Sequence, residues 1–245
     1  MRGSSSPNAE ARQAIKDRMR RALGRDDNDG AREEVSERLL NSTPTLIPAR
    51  ADLEPADRLN LFIEKAKAVQ TDVERVDLYE DVPERIAQYL RAHNLPMQLV
   101  RASDPRLDQL DWSRHLIETR EGSPGVDDAI GLTTAFAGIA ETGTLLLSSD
   151  AGHPTMLAFL PETAIILLPS QRVARAYEDT LHAYRADRSD MPRSINFITG
   201  PSRSGDIEQT LQLGAHGPKR LLIMLVDQEC GEPPIPDIAT KGGTA

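Results

Sequence analysis

The sequence predicts an α/β protein with a mainly parallel central sheet flanked by helices and preceded by an N-terminal helical arm. Apolar runs of strand length, at 97–100, 164–168 and 220–227, alternate with stretches of helical periodicity. This alternation is typical of βαβ units, which build parallel sheets. The run at 164–168 has no polar alternation, which predicts a strand buried in the middle of the sheet.

Three segments are expected: a helical arm over 1–50, an α/β domain over 51–229 and a flexible tail over 230–245. In the arm, residues 9–23 form a basic helix with one apolar stripe, and an acidic helix follows it. The arm is interpreted either as a helical extension over the core or as a docking arm for a partner subunit. The Pro- and Gly-rich composition after residue 229 favours a loose tail.

Within the domain, each element follows from a local pattern. Apolar residues at helical spacing predict helices over 59–69, 82–91 and 171–184, and Ser170 is expected to cap the third. A further helix over 207–213, capped by Asp206, is predicted between the last two strands. Strands are predicted at 72–78, 97–100, 116–119, 127–135, 145–149, 164–168, 194–199 and 220–227. The apolar runs at 194–199 and 220–227 are expected to be buried strands.

The composition excludes several classes of function. The 245 residues carry 29 Lys and Arg against 38 Asp and Glu, and this net charge of −9 argues against nucleic-acid binding. No run of 18 apolar residues and no apolar leader are present, so neither a membrane span nor a signal peptide is expected. The single cysteine, Cys230, cannot form an intrachain disulfide or hold an iron–sulfur cluster, which favours a cytoplasmic protein. No metal-ligand spacing is found, so no metal and no cofactor are predicted in this chain.

Two polar segments carry the candidate chemistry, and we expect them to face each other across one site. In the first, 138–144, Glu141 lies among small uncharged residues and is predicted to be a general base or nucleophile. The alternative is a carboxylate that caps a turn. In the second, 198–227, His216 is predicted to act as an acid or base, against the alternative of a histidine bonded to backbone in a tight turn.

The glycine-rich part of the second segment, GPSRSG at 200–205, has Walker A spacing but lacks the phosphate-binding lysine. A P-loop is therefore excluded, and the remaining possibility is an anion site at a helix N-terminus beside Arg203. A capped turn in which Arg203 pairs with Asp206 or Glu208 is the alternative. The predicted ligand-binding residues are Thr142, Gly143, Thr144, Gly200, Ser202, Arg203, Ser204, Asp206 and Gly217.

The dinucleotide-binding fingerprint GxGxxG and the hydrolase motif GxSxG are both absent. A nicotinamide dehydrogenase and an ordinary serine hydrolase therefore have no support. His153 remains as a weaker candidate for the site.

The segments GIAETGTL (138–145) and GPSRSGDIEQTLQLGAHGPKRL (200–221), with Asp111 and Trp112, resemble the lactate-utilisation protein C family, or LUD domain. The resemblance spans roughly 9–227. It implies a fold like that of the sugar-phosphate isomerase and CoA-transferase superfamily, and a role in oxidising L-lactate to pyruvate with iron–sulfur partner proteins. One departure is the segment AGHPTMLAFLP after Ser149, in which His153 would have to replace an arginine found in that family.

Three functions are compared. The first is an accessory component of L-lactate oxidation that acts with iron–sulfur partners and binds a small anion. The alternative is a stand-alone transferase or isomerase, acting on a carboxylate, phosphate or CoA ester with Glu141 as base or nucleophile. The third is a purely structural assembly subunit, in which Arg203 contributes to no ligand affinity.

Overall fold

The computed structural model describes residues 7–24, 29–40, 47–188, 190–204, 212–214, 216–229 and 233–238. The chain divides into two compact units, Met1–Thr45 and Leu46–Ala245. The smaller unit contains helices α1 (Pro7–Ala22) and α2 (Asp29–Leu40), both on stretches with predicted helical character. Within the described residues, no helix is long and apolar enough to cross a bilayer.

The larger unit contains the sheets and the remaining helices. Its helices are α3 (Pro55–Ala68), α4 (Val82–Ala92), α5 (Pro105–Asp108) and α6 (Tyr177–Asp187). Its strands are β1 (Asp72–Val76), β2 (Gln98–Arg101), β3 (Glu118–Glu121), β4 (Ile130–Thr134), β5 (Ala137–Ile139), β6 (Thr144–Ser148), β7 (Thr163–Pro169), β8 (Val173–Ala174), β9 (Ile195–Ile198), β10 (Arg203–Ser204), β11 (Gln212–Leu213) and β12 (Arg220–Val226).

The central sheet confirms the predicted fold class. In the described part of the chain it has six strands in the order β1-β12-β7-β4-β2-β3, and every neighbouring pair is parallel. All seven residues of β7 are buried, as its apolar sequence predicts. Successive residues of β12 alternate between two core clusters because side chains along a strand point to opposite faces. One cluster includes Ile86 and Leu90 of α4, and the other includes Phe62 of α3, so helices cover both faces.

A second, mixed sheet, β8-β5-β6-β9, contains the first of the two predicted site segments. Strands β5 and β6 form a hairpin whose turn is at 140–143. The strand predicted at 194–199 belongs to this sheet as β9, where it pairs only with β6 among the described strands. The prediction that it is buried is wrong: Phe197 is 41% exposed, because β9 lies at the edge of the sheet.

Two predicted helix boundaries are also wrong. Residues Ser170–Arg172 form a 3₁₀ turn and β8 then pairs with β5, so α6 begins at Tyr177 rather than at residue 171. The carboxylate of Asp179 accepts the Ala176 N–H (3.2 Å), so this side chain, rather than Ser170, caps the helix. The helix predicted over 207–213 is wrong at its end, because β11 pairs antiparallel with β10. Asp206 and the rest of that segment lie outside the described residues.

Residues 233–238 pack on the domain, where the sequence predicts a flexible tail. Ile235 is buried beside Ala137 and Ala174. Asp237 pairs with Arg58 (2.6 Å), and the Ile238 carbonyl accepts a hydrogen bond from Arg175 (3.0 Å). Arg58 and Arg175 are buried cations, and the segment supplies acceptors that help to offset their desolvation.

Candidate functional site

The crevice between β2 and β4 has the topology of a ligand site. Strands β2 and β4 are neighbours in the central sheet. From β2 the chain continues to β3, toward one edge of the sheet, whereas from β4 the next strand of the sheet is β7, toward the opposite edge. In open α/β sheets, ligands bind at the carboxyl ends of the strands where the connections diverge in this way. Asp104 and Arg106 follow β2, and Thr134 ends β4, so these residues lie at that crevice.

Asp104 is the centre of a hydrogen-bond network at this point. Its side chain is buried, and it accepts hydrogen bonds from the Arg106 guanidinium through Nε (3.0 Å) and Nη2 (2.7 Å). It also accepts from the Arg106 backbone N–H (2.8 Å) and the Thr134 hydroxyl (2.8 Å), and it contacts His153 Nε2 (3.0 Å). Burial alone would raise the pKa of Asp104, but hydrogen bonds from His153 and Arg106 outweigh it and hold the pKa well below its usual range.

His153 lies between two carboxylates. Its Nε2 is 3.0 Å from Asp104 Oδ2, and its Nδ1 is 2.8 Å from Asp150 Oδ1. A neutral imidazole has one N–H, so hydrogen bonds to two ionised carboxylates require the imidazolium form. The hydrogen bond to Asp104 is the main reason that the pKa of His153 is raised, although burial opposes the rise. The two contacts favour the imidazolium form and engage both ring nitrogens, so His153 is a poor general base.

Gly152 allows this arrangement. A Cβ on Gly152 would lie 2.6 Å from the Ser103 carbonyl oxygen, so only glycine lets the 150–153 turn approach the end of β2 so closely. The Ser103 N–H donates to the Gly152 carbonyl (2.9 Å), which joins the two segments. The contact places His153 over Asp104.

A cavity of about 210 Å³ opens beside this network, and we call it the anion cavity. Its charged lining residues are Arg106, His153, Arg172, Arg188, Asp150 and Asp187. With His153 protonated, four cations face two carboxylates here, in a chain whose net charge is −9. A partly enclosed group of guanidinium cations suits a carboxylate or phosphate.

Arg172 is held rigidly in the wall of the anion cavity. It is only 5% exposed, and it donates to the carbonyls of Phe136 (3.0 Å) and Pro233 (2.8 Å). Its guanidinium carbon lies 4.4 Å from the centroid of the Phe136 ring, within the range of a cation–π contact. Arg188 stacks in a similar way on Tyr184 at 5.1 Å. In the described residues, no group of three or more His, Cys, Asp or Glu side chains is arranged to hold a metal ion.

The predicted residue Glu141 lies at the other end of the second sheet. Its buried carboxylate accepts a hydrogen bond from Arg50, and its N–H donates to the Arg175 carbonyl (3.2 Å). Four residues of strand and turn lie between it and Phe136 in the anion cavity, and these five residue steps correspond to roughly 16 Å of extended chain. Gly143 has φ +68°, and a Cβ there would lie 2.3 Å from the Ala66 nitrogen. The turn therefore packs tightly on α3.

The neighbouring threonines form a hydroxyl cluster. Thr144 hydrogen-bonds to the hydroxyls of Thr142 (2.7 Å), Tyr177 (3.1 Å) and Thr199 (2.6 Å). The contact between Thr144 and Thr199 joins the two predicted segments, which β6 and β9 also bring side by side. Among the described residues of the two segments, none lines the anion cavity.

The second predicted segment is also held by packing. A Cβ on Gly200, where φ is +77°, would lie 2.7 Å from the Val69 carbonyl oxygen, and Arg203 makes a long contact to the same oxygen (3.5 Å). The exposed His216 donates its backbone N–H to the Ser202 hydroxyl (3.4 Å). Gly217 also packs against Ser202, and Ser204 in β10 pairs with Gln212 in β11. Among the described residues, no hydrogen bond joins Glu141 to Arg203 or His216.

Sequence reasoning missed most residues of the anion cavity and its network. Asp104, Arg106, Arg172 and Arg188 were not candidates, and His153 was a weak one. A usable indication was present: Ser103–Arg106 places Asp, Pro and Arg directly after a predicted strand, where a carboxyl-end site would lie. The pairing of Asp104 with a histidine 49 residues away depends on the order of strands, which spacing does not reveal.

The fold and the site together define an α/β protein with a parallel sheet and a cation-lined cavity at the carboxyl ends of its strands. The chain belongs to the LUD domain family, whose model matches residues 59–226. This confirms the resemblance seen in the sequence. The matched region contains Asp104, His153 and Arg172.

Individual relatives agree with this assignment. Over 185 residues the chain is 33% identical to Lactate utilization protein C of Halalkalibacterium halodurans, which covers 69% of this chain and 79% of the relative. Over 160 residues it is 31% identical to the protein of the same name from Anoxybacillus flavithermus, covering 60% and 71%. The crystal structure of a DUF162 family protein from Deinococcus radiodurans matches with a TM-score of 0.54 at 19% identity, over 71% of this chain and 99% of that one. At this identity the likeness supports the fold alone.

Proposed function

We propose that the protein takes part in lactate utilisation, as an accessory component of L-lactate oxidation to pyruvate. In this proposal it acts in the cytoplasm with iron–sulfur partner proteins and binds a small anionic ligand. Membership of the LUD domain family, with relatives named Lactate utilization protein C, supports the pathway. The buried Asp104–Arg106–His153 network beside the anion cavity is the observation that supports the ligand.

The network would prepare the anion cavity for a ligand before it arrives. Asp104 binds Arg106 through two guanidinium nitrogens, which fixes the plane of that cation. A guanidinium already held in position loses little rotamer entropy when an anion binds. The volume of about 210 Å³ is below the roughly 300–1,000 Å³ of clefts for drug-sized ligands, so a carboxylate of a few carbon atoms suits it.

The residues of the cavity suit binding better than proton abstraction. Oxidation of lactate to pyruvate removes two protons and two electrons, and a base that accepts a proton must be free, whereas both nitrogens of His153 contact carboxylates. The electrons also need an acceptor, and the proposal assigns that role to the iron–sulfur partners. This division of labour is why we describe the chain as an accessory component.

The stand-alone transferase or isomerase has weaker support. It requires Glu141 to reach a substrate, but this carboxylate is buried and paired with Arg50, and its turn packs against α3. The hydroxyls nearest to that turn hydrogen-bond to one another.

Reconstitution tests the proposed function. The purified chain should give no lactate-dependent reduction of an artificial electron acceptor, and its addition to purified iron–sulfur partners should restore or increase that activity. Asp104→Asn should reduce the restored activity, and Glu141→Gln should leave it largely unchanged. Turnover of lactate by the chain alone, or full dependence on Glu141, would contradict the proposal.

A further inference from the structure

We propose that a second cavity, next to the anion cavity, binds a ribonucleotide. We call it the groove: it is formed by residues 78–80 after β1, residues 228–229 after β12, and the segment 106–115 between β2 and β3. Its volume of about 670 Å³ is within the roughly 300–1,000 Å³ typical of organic-ligand sites. The proposal adds a ligand that the accessory role does not require.

The groove lies where α/β sheets bind ligands. Its walls come from the carboxyl ends of β1 and β12 on one side and of β2 on the other. In the sheet order β2 is three strands from β12, which corresponds to a span of about 14 Å between their ends at about 4.8 Å per strand. This width suits a ligand larger than a simple carboxylate.

The apolar and amide groups of the groove suit a planar heteroaromatic base. Tyr79 and Leu110 are largely buried lining residues, and Leu78 adds an exposed aliphatic surface. Gln228 accepts the Tyr79 N–H through Oε1 (2.9 Å), which orients its amide along the wall, and Gln109 offers a second amide. Aromatic and aliphatic surfaces stack with bases, and amides both donate to and accept from base edges.

The guanidinium groups of the groove lie on one chain segment. The 106–115 segment contributes Arg106 and Arg114, together with the carboxylate of Asp111, whereas the ends of β1 and β12 contribute the carboxylates of Glu80 and Glu229. Guanidinium groups bind phosphate oxygens, and carboxylates accept hydrogen bonds from ribose hydroxyls. The position of the two arginines therefore predicts the phosphates at the 106–115 segment and the ribose beside Glu80 and Glu229.

A local turn at Asp111 holds the backbone of Arg114 in place on this wall. The Asp111 carboxylate accepts hydrogen bonds from the Ser113 hydroxyl (2.7 Å) and the Arg114 N–H (3.1 Å). The hydrogen bond from Ser113 is the main cause that lowers the pKa of Asp111. The turn fixes the backbone of Arg114 at the rim. Because GxGxxG is absent, we expect side-chain cations rather than a glycine-rich turn to bind the phosphates.

Arg106 lines both the groove and the anion cavity. In the described part of the chain it is the one residue common to the two linings, and Asp104 holds it in place. A nucleotide in the groove and a small anion in the cavity would therefore lie on either side of one guanidinium group. Occupation of one site should alter affinity at the other.

Isothermal titration of the full chain with ADP, GDP and UDP tests the proposal, with adenosine and inorganic pyrophosphate as partial ligands. At least one nucleoside diphosphate should bind with a Kd below about 1 mM, and about tenfold more tightly than either fragment. Arg114→Ala should lower nucleotide affinity about tenfold and leave adenosine affinity unchanged. Glu229→Gln should reduce the preference for a ribonucleotide over its 2′-deoxy analogue.

Arg85→Ala is the matched control, because Arg85 is exposed and lines neither the groove nor the anion cavity. Its nucleotide affinity should equal that of the wild type. The proposal is overturned if no nucleoside diphosphate binds at several millimolar. It is also overturned if binding survives Arg114→Ala and is lost in Arg188→Ala, which would place the phosphates in the anion cavity. None of these outcomes depends on lactate oxidation.

Discussion

Two regions of the domain contain a buried carboxylate paired with arginine, but they differ in what surrounds the pair. Glu141 pairs with Arg50, whose side chain is 61% exposed, in a turn that packs on α3. Asp104 receives hydrogen bonds from Arg106 and Thr134 and contacts His153, and all three line a cavity at the carboxyl ends of the sheet. Convergence of several chain segments on one carboxylate, beside a cavity, distinguishes a candidate site from a capped turn.

The glycines of the two regions show the same difference. Gly143 and Gly200 are needed because their turns approach the backbone of α3 and of Val69, so the glycine-rich pattern there reflects packing. Gly152 is needed because it brings His153 onto Asp104. A dense glycine motif is therefore a weaker guide to a site here than one glycine beside a polar strand end.

The largest expected effect is the difference in unfolding free energy between Asp104→Asn and Glu141→Gln. Removing the Asp104 charge leaves Arg106 and His153 without their shared carboxylate in a buried setting, so we expect a loss of about 3 kcal/mol in the free energy of unfolding. Glu141→Gln should cost about 1 kcal/mol or less, because Arg50 can turn to solvent. Urea denaturation measures both, and equal losses would remove the distinction between the regions.

Gly143→Ala should cause the next largest loss in the free energy of unfolding. The added Cβ would lie 2.3 Å from the Ala66 nitrogen at a positive φ, so we expect a loss of about 2 to 3 kcal/mol. Gly122→Ala is the matched control, since its φ is +113° but nothing lies within 4 Å, and it should cost about 1 kcal/mol. If both variants lose the same stability, close packing on α3 does not explain the presence of glycine in that turn.

The pH dependence of stability sharpens the electrostatic side of the comparison. The pKa of His153 is raised in the folded state, so its contribution is fully present below the unfolded value of about 6.5 and is lost as pH rises through the folded pKa. The stability of the wild type should therefore fall relative to His153→Gln across that window. Denaturation at a series of pH values from 6 to 9 measures this. The assignment is contradicted if the difference in unfolding free energy between the wild type and His153→Gln does not change with pH. It is also contradicted if the exposed His182→Gln control changes the pH dependence in the same way as His153→Gln.

At low pH the stability contribution of Asp104 changes in the opposite direction to that of His153. Because the folded pKa of Asp104 is lowered, its contribution is present above the unfolded value of about 3.9 and is lost as pH falls toward the folded pKa. Asp104→Asn should therefore be less sensitive to acid than the wild type. Acid unfolding followed by circular dichroism measures this, and identical acid profiles would argue that the network does not hold the carboxylate ionised.

Arg203→Ala should have the smallest effect. Arg203 is exposed, and its contact with the Val69 carbonyl is long at 3.5 Å, so the change in unfolding free energy should stay within about 0.5 kcal/mol. Thermal or urea unfolding checks this. A loss above about 1 kcal/mol would mean that the second predicted segment has a larger role than its contacts indicate.

The sequence correctly predicts the helices and strands that pack against a continuous apolar core. The apolar runs of β7 and β12 and the helical spacing of α4 are sufficient, because each lies against a continuous core. It fails where a neighbour in space decides the outcome. Val173 and Ala174 leave the predicted helix because they pair with β5, and Gln212 and Leu213 do so because they pair with β10.

The candidate site shows the same limit more strongly. Residues of a single turn, such as Thr142 and Thr144, can be recognised as neighbours from their spacing. The contact of Asp104 with His153 needs β2 and β4 to be adjacent and Gly152 to meet Ser103, and neither follows from local pattern. The LUD domain resemblance predicts the family correctly, but it rests mainly on residues 138–145 and 200–221, which include none of Asp104, Arg106 and His153.

Titration of the wild type with pyruvate and L-lactate, beside Arg188→Ala and Arg203→Ala, tests the central claim most directly. Both variants remove one arginine, but Arg188 lines the anion cavity and Arg203 lies in the glycine-rich segment. If the carboxyl-end cavity is the anion site, Arg188→Ala should weaken carboxylate binding about tenfold and Arg203→Ala should bind like the wild type. Loss of binding in Arg203→Ala with full affinity in Arg188→Ala would place the site in the glycine-rich segment and contradict the account.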